Sequence, residues 1–275
     1  MIVVAESGSL FGAWFLGLLQ GMTEFLPVSS SGHLVLFQQF FTVAGDDVLF
    51  DLVLHLGTLV PVLWFYRRDV GQLVTDPFVG KGKFMQRPGV RMAMLLLIAT
   101  LPTGLIGVVF KDLFELWFQT PAVLTVTFAV TGFLLYLSKR YGNGTIELGK
   151  MTVWHALILG VAQGLAITPG ISRSGTTIVV AMILGMHPVF AARFSFLMSV
   201  PAILGAVVLK GKDADLSTLD LPALGMGGIT AMVSGYAALV LLVLLVKNRK
   251  LQSFAWYAWC MAVVAGGIAL WNAIG

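Results

Sequence analysis

The sequence predicts an all-α polytopic membrane protein: six transmembrane helices plus two re-entrant helical hairpins, set in an inverted-topology repeat. Three observations lead there. Hydrophobic residues make up 58% of the 275-residue chain and charged residues only 11%, whereas an average soluble domain is about 25% charged. So few charges cannot coat a globule of this size. The basic residues gather in short connections between long apolar runs. Two polar stretches, Gln20–His33 and Gln163–Thr177, interrupt otherwise apolar segments and share one outline.

The first segment, Leu10 to about Leu36, is apolar at both ends and polar in the middle. Pro27 and Gly32 interrupt a helix there, and Ser29, Ser30 and Ser31 would face lipid in a straight span. A broken helix pair buried against protein fits better, since irregular backbone at membrane depth is tolerated only there. Phe50–Tyr66 is the first crossing, kinked at Pro61. The loop to Arg91 carries Arg67, Arg68, Lys81, Lys83, Arg87 and Arg91 against Asp69 and Asp76, and reads as cytoplasmic. Met92–Phe110 crosses next, Lys111–Glu115 has one base against two acids and reads as an external connection, and Pro121–Ser138 returns. Lys139, Arg140 and Lys150 mark a second cytoplasmic loop.

The second polar stretch lies inside Val153–Met186, broken at Pro169, Gly170 and Gly175. Phe194–Leu209, Leu221–Val246 and Phe254–Ile274 complete the six crossings. The loop bearing Lys210, Lys212, Asp213, Asp215 and Asp220 is acidic on balance and reads as external. Charge bias then opens the first hairpin outward and the second to the cytoplasm.

The halves, about 10–138 and 153–274 of a single domain, match in order. Gln20-Gly21 corresponds to Gln163-Gly164, Pro27 to Pro169, Ser29–Gly32 to Ser172–Gly175, and Pro61 to Pro201. Each half is a hairpin plus three crossings, so the second copy enters the membrane inverted. Such repeats bring broken helices together and build a site at their interface. Asp51 and Arg193 start corresponding segments and are candidates to pair.

The net charge of +4 follows from topology, and no basic groove with interleaved aromatics points to nucleic acid. Cys260, the single cysteine, is expected as a small buried hydrophobe. The first charge is Glu6, so no basic region precedes the first apolar run and a cleaved signal peptide is not expected. No Walker A motif, zinc spacing, dinucleotide fingerprint or nucleophile elbow occurs.

Arg173 is costly in a membrane hairpin and needs an anion, either a substrate or Glu24. With Ser172, Ser174, Gly175, Thr176 and Thr177 at a helix start, it forms phosphate-binding chemistry. The first stretch adds Gln20, Glu24, Ser29, Ser30, Ser31 and His33. Ser30 and His33 share a face if helical, and a hydroxyl beside an imidazole is a candidate activated nucleophile. Glu24 is a candidate base, an orienter of His33, or a ligand to Mg²⁺ or Ca²⁺, with Gln20 one turn before it. Taken singly, the serines read as helix packing and His33 as an interior histidine. His55, His155 and His187 read as packing or capping residues.

At Gln20-x-x-x-Glu24, Pro27-Val-Ser-Ser-Ser-Gly-His33 and Pro169-Gly-Ile-Ser-Arg-Ser-Gly-Thr-Thr177 the chain resembles the undecaprenyl-diphosphate phosphatase family of the bacitracin-resistance type. The resemblance covers essentially the whole chain. The family allows Glu or Gln at the first of these positions; with Gln20 here, Glu24 must carry the carboxylate role. The resemblance implies a plasma-membrane enzyme of bacteria, dependent on a divalent cation, with its site on the periplasmic side. It implies removal of the terminal phosphate of undecaprenyl diphosphate, which renews the lipid carrier for wall synthesis and confers bacitracin resistance. Either Ser30 or His33 is the nucleophile, and Arg173 holds phosphate. Implied partners are a polyprenyl diphosphate lipid and the bilayer, with a homodimer among the possible assemblies.

The competing class is a transporter or flippase of an anionic lipid, which the inverted repeat also fits but which needs no nucleophile. The phosphatidic-acid-phosphatase type is excluded. Its first motif needs six residues between Lys and Arg-Pro, and five separate Lys81 from Arg87; Val179 stands where its histidine belongs.

Overall fold

The computed structural model describes residues 10–41, 43, 47–80, 83–212 and 220–274. Glu6, Lys81, Asp213 and Asp215 lie outside them. The described residues are helical apart from turns and one isolated parallel bridge between Ile146 and Met186. Among the described residues twelve α-helices follow in order: α1 Leu10–Phe25, α2 Ser30–Phe37, α3 Asp47–Phe65, α4 Arg67–Val79, α5 Pro88–Val109, α6 Lys111–Phe118, α7 Ala122–Leu137, α8 Val153–Leu165, α9 Arg173–Ile183, α10 Pro188–Lys210, α11 Leu221–Lys247 and α12 Phe254–Ile274.

Among the described residues, six helices are long and apolar enough to cross a membrane: Val48–Phe65, Pro88–Val109, Ala122–Arg140, Pro188–Lys210, Leu221–Lys247 and Leu251–Ile274. They are the six crossings expected from the sequence. Their starts obey local chemistry. Proline stands in the first turn of α5, α10 and α11, where its missing N–H costs nothing, and Asp220 caps α11 by accepting from the Ala223 N–H at 3.0 Å. Leu97, Leu101, Leu105 and Val108 of α5 form an exposed apolar stripe, the face a lipid-bathed helix presents.

Two expected loops contain helix. Arg67–Val79 forms α4, and Lys111–Phe118 forms α6, within which Lys111 and Glu115 pair one turn apart at 3.6 Å. Both are short and carry charges, so neither registers as an apolar run. Cys260 is exposed rather than buried, because α12 turns only a narrow stripe of alanines (Ala255, Ala258, Ala262, Ala265) inward.

The two broken hairpins, α1–α2 and α8–α9, lie inside this frame. α1 packs chiefly on α11, and α8 chiefly on α5. Both contacts are close because glycine faces them. A Cβ on Gly21 would stand 2.5 Å from the Ala231 carbonyl oxygen, and one on Gly160 would stand 2.6 Å from Pro102 Cγ. Small residues let membrane helices approach when no hydrophobic drive separates helix from lipid. A core that includes Phe25, Leu135, Leu159, Phe194 and Phe196 joins the hairpins to α7 and α10.

Candidate active site

Each hairpin breaks at a proline-containing turn and restarts at a serine-capped helix. Ser29 caps α2, its hydroxyl accepting from the Gly32 N–H at 3.3 Å. Ser172 caps α9 in the same way, accepting from the Gly175 N–H at 3.1 Å. In both, the serine two residues on lies beside the cap, Ser31 at 3.3 Å from Ser29 and Ser174 at 3.4 Å from Ser172. The second turn is tied to α7. Thr131 Oγ1 donates to the Gly170 carbonyl at 2.8 Å and accepts from the Ser172 N–H at 3.0 Å. Gly170 has φ +85°, a conformation glycine adopts without strain.

The turns pack on each other. A Cβ on Gly32 would meet Gly170 Cα at 2.9 Å, and one on Gly175 would meet Pro27 Cβ at 3.1 Å. This contact brings the charged residues together. Arg173, the first residue of α9, is ion-paired and hydrogen-bonded to Glu24 Oε1 near the end of α1. The other carboxylate oxygen, Oε2, accepts from the Ser30 hydroxyl at 2.6 Å and from the Gln20 amide at 3.0 Å. Glu24 is 7% exposed, so its charge depends on these partners. Gln20 Oε1 is buried without a hydrogen-bond partner.

Glu24, Ser30 and Arg173 therefore meet, with Gln20 beside them. His33 is adjacent in sequence but bonds elsewhere: Nδ1 lies 2.7 Å from the Ser29 carbonyl oxygen and Nε2 lies 2.7 Å from the Tyr257 hydroxyl on α12. Thr177 is bonded to the Arg173 carbonyl and to Ser195 of α10, while Thr176 Oγ1 is buried and unpartnered. Asp51 and Arg193 do not pair. Gln38 donates to Asp51 at 2.8 Å, and Arg193 pairs with Asp69 of α4. Asp51 sits about four turns along α3 from α4, on the order of 20 Å away, so the two belong to opposite ends of the bundle.

His155 caps α8, as expected, bonding both the backbone N–H and the hydroxyl of Thr152. His55 is more than a packing residue. Its Nε2 lies 4.0 Å from Glu24 Oε2, and its Nδ1 donates to the Asp51 carbonyl at 2.7 Å. One turn back along α3, Asp51 lines a cleft of about 420 Å³ with Gln38, Gln39, Glu115, Gln119 and Lys210. Asp51, His55 and Thr58 recur at helical spacing on one face of an apolar crossing, and that polar stripe is a sequence signal that could have found His55. Tyr257 carried no such signal.

Among the described residues, six helices able to span a membrane surround two broken hairpins that meet at a buried carboxylate–guanidinium pair, and this defines a polytopic membrane protein. The chain belongs to a family described as bacitracin resistance protein BacA, whose model matches residues 13–264. A relative from Carboxydothermus hydrogenoformans, an undecaprenyl-diphosphatase, is 44% identical over 258 residues, covering 92% of this chain and 95% of the relative. Undecaprenyl-diphosphatases of Halothermothrix orenii and Methanobrevibacter smithii are 42% and 39% identical, covering 93% and 92% of this chain and 96% and 95% of their own.

Proposed function

We propose that this chain is an integral-membrane phosphatase that hydrolyses undecaprenyl diphosphate to undecaprenyl phosphate and orthophosphate, renewing the lipid carrier and lowering the pool that bacitracin binds. The observation that carries the site assignment is the shared carboxylate: Glu24 accepts the Ser30 hydroxyl at 2.6 Å on one oxygen and holds Arg173 on the other. A serine beside a base is an activated nucleophile. Ser30 Oγ attacks the terminal phosphorus while its proton passes to Glu24. The bond to the bridging oxygen breaks, and undecaprenyl phosphate leaves with that proton. Water then attacks the phosphoserine, giving its proton to Glu24, and Ser30 leaves reprotonated by the same carboxylate.

Arg173 uses its remaining N–H groups to hold phosphate oxygens, and the N-termini of α2 and α9 direct their positive ends at the same place. Phosphoryl transfer needs positioning and charge neutralisation more than unusual covalent chemistry. The Glu24 carboxylate and the unpartnered Gln20 Oε1 are hard oxygen donors that fit Mg²⁺ or Ca²⁺. An ion bound there would neutralise phosphate charge.

The site opens toward the outer face, the periplasmic side of a bacterial plasma membrane. Two features support this: α3 runs from the Asp51 cleft, past His55 and Glu24, to the basic end at Arg67 and Arg68, and basic ends stay cytoplasmic. The exchange of partners, α1 on α11 and α8 on α5, supports reading 10–138 and 153–274 as inverted repeats with re-entrant hairpins.

The test is phosphate release from undecaprenyl diphosphate by the purified protein in detergent with Mg²⁺ or Ca²⁺. The parent is expected to turn over, with Ser30→Ala and Arg173→Ala each slower by at least about a hundredfold. No release by the parent, or full release by Ser30→Ala, would overturn the assignment.

A further inference from the structure

His33 is 1% exposed, and neither of its ring nitrogens touches Ser30. A carbonyl oxygen only accepts, so Nδ1, 2.7 Å from the Ser29 carbonyl, carries the ring proton. Nε2 then offers its lone pair to the Tyr257 hydroxyl, 2.7 Å away. The two rings lie nearly parallel, 9° apart with centroids 5.7 Å apart, and Phe128 closes the imidazole edge at 5.4 Å. With both nitrogens committed, His33 has no lone pair for a serine proton or for phosphorus.

What His33 holds is the backbone next to the nucleophile. Ser29 has φ 68° and ψ 96°, a strained region that residues other than glycine rarely occupy. Its counterpart Ser172 has φ −73° and ψ 114°, an ordinary extended conformation. Ser29 directly precedes Ser30, so its dihedrals set where the Ser30 hydroxyl points. The Nδ1–H bond grips the carbonyl of this strained residue, and the His33 N–H accompanies it at 3.3 Å.

We propose that Tyr257 is a positioning residue for the dephosphorylation reaction. Its hydroxyl, donating to Nε2, reinforces the His33 tautomer whose Nδ1–H holds the Ser29 carbonyl, and the held turn aims Ser30 at Glu24. The last crossing thus takes part in the site without touching substrate. This rests on the reading of Ser30 as nucleophile.

The experiment compares the full-length parent with Tyr257→Phe, which keeps the half-exposed ring and removes one hydroxyl. Imidazole ¹⁵N spectra are expected to show His33 in the Nδ1–H form in the parent and in a mixture of tautomers in the variant. The variant's kcat is expected to fall about tenfold or more, with KM within twofold and thermal stability little changed. A Tyr257→Phe protein with the parental His33 tautomer, or with kcat within twofold of the parent, overturns the proposal. The two readings fail separately. Normal turnover in Tyr257→Phe with a dead Ser30→Ala removes this proposal alone, whereas full turnover in Ser30→Ala removes both.

Discussion

Replacing Arg173 by Ala should unfold the protein more readily as well as silence it. The Glu24 side chain is 5% exposed and that of Arg173 19%, so the substitution strips a buried carboxylate of the guanidinium paired with it. Breaking a buried pair from one side costs about 3–5 kcal/mol. Glu24 keeps its bonds from Ser30 and Gln20, which places the loss near the lower end, about 3 kcal/mol, or roughly a hundredfold in the folding equilibrium. Removing both charges, in Glu24→Gln with Arg173→Ala, leaves no uncompensated ion and should recover most of that stability while phosphate release stays absent. Denaturation in detergent micelles followed by tryptophan fluorescence, run beside the phosphate assay, measures both. A single variant as stable as the parent would refute the reasoning, and so would a double variant no more stable than the single.

Other outcomes follow from the same geometry. Arg193→Ala also breaks an ion pair, but its side chain is 36% exposed, so the cost should be at most about 1 kcal/mol with phosphate release retained; the same two assays check it. Gly21→Ala would put a methyl 2.7 Å from the Gly235 nitrogen, backbone that cannot swing aside, and should cost about 1–3 kcal/mol, while Gly149→Ala, which meets nothing within 4 Å, should be neutral in the same melt. In a Cys260→Ala background, Gln39→Cys beside the Asp51 cleft should react with an impermeant maleimide added to intact cells, and Lys247→Cys at the basic end only after lysis; the reverse pattern would invert the proposed orientation.

The crossings were legible in the sequence because a span is a one-dimensional property, length of apolar run, and six such runs reappear as helices. The meeting of Glu24 with Arg173 was legible for an energetic reason: each is intolerable alone at membrane depth, so each advertises the other. Helices α4 and α6 escaped because short helices that carry charges look like loops when only apolar length is read. The proposed pairing of Asp51 with Arg193 assumed that matching positions in two repeats meet, whereas each found a partner at its own end of the bundle. The spacing of Ser30 and His33 put them on one helical face, but a shared face does not say where a ring points. Tyr257 is 224 residues from His33, one ring in an aromatic-rich helix, and nothing local marks it.

The partition of the site between two halves has a consequence for folding. Neither hairpin can bury its own charge: α1 brings only the carboxylate, α9 only the guanidinium. Each hairpin also packs on a crossing from the other half, α1 on α11 and α8 on α5, so docking the halves and pairing the charges are one event. In a bilayer there is little hydrophobic gain to drive helices together, and a pair of ions that must meet then becomes a device for register. A buried ion pair often contributes little net stability compared with apolar packing, yet severing it is costly. That asymmetry suits an enzyme of this design. It penalises any assembly in which Glu24 and Arg173 fail to meet, and the assembly in which they do meet also brings the Ser30 hydroxyl to the carboxylate.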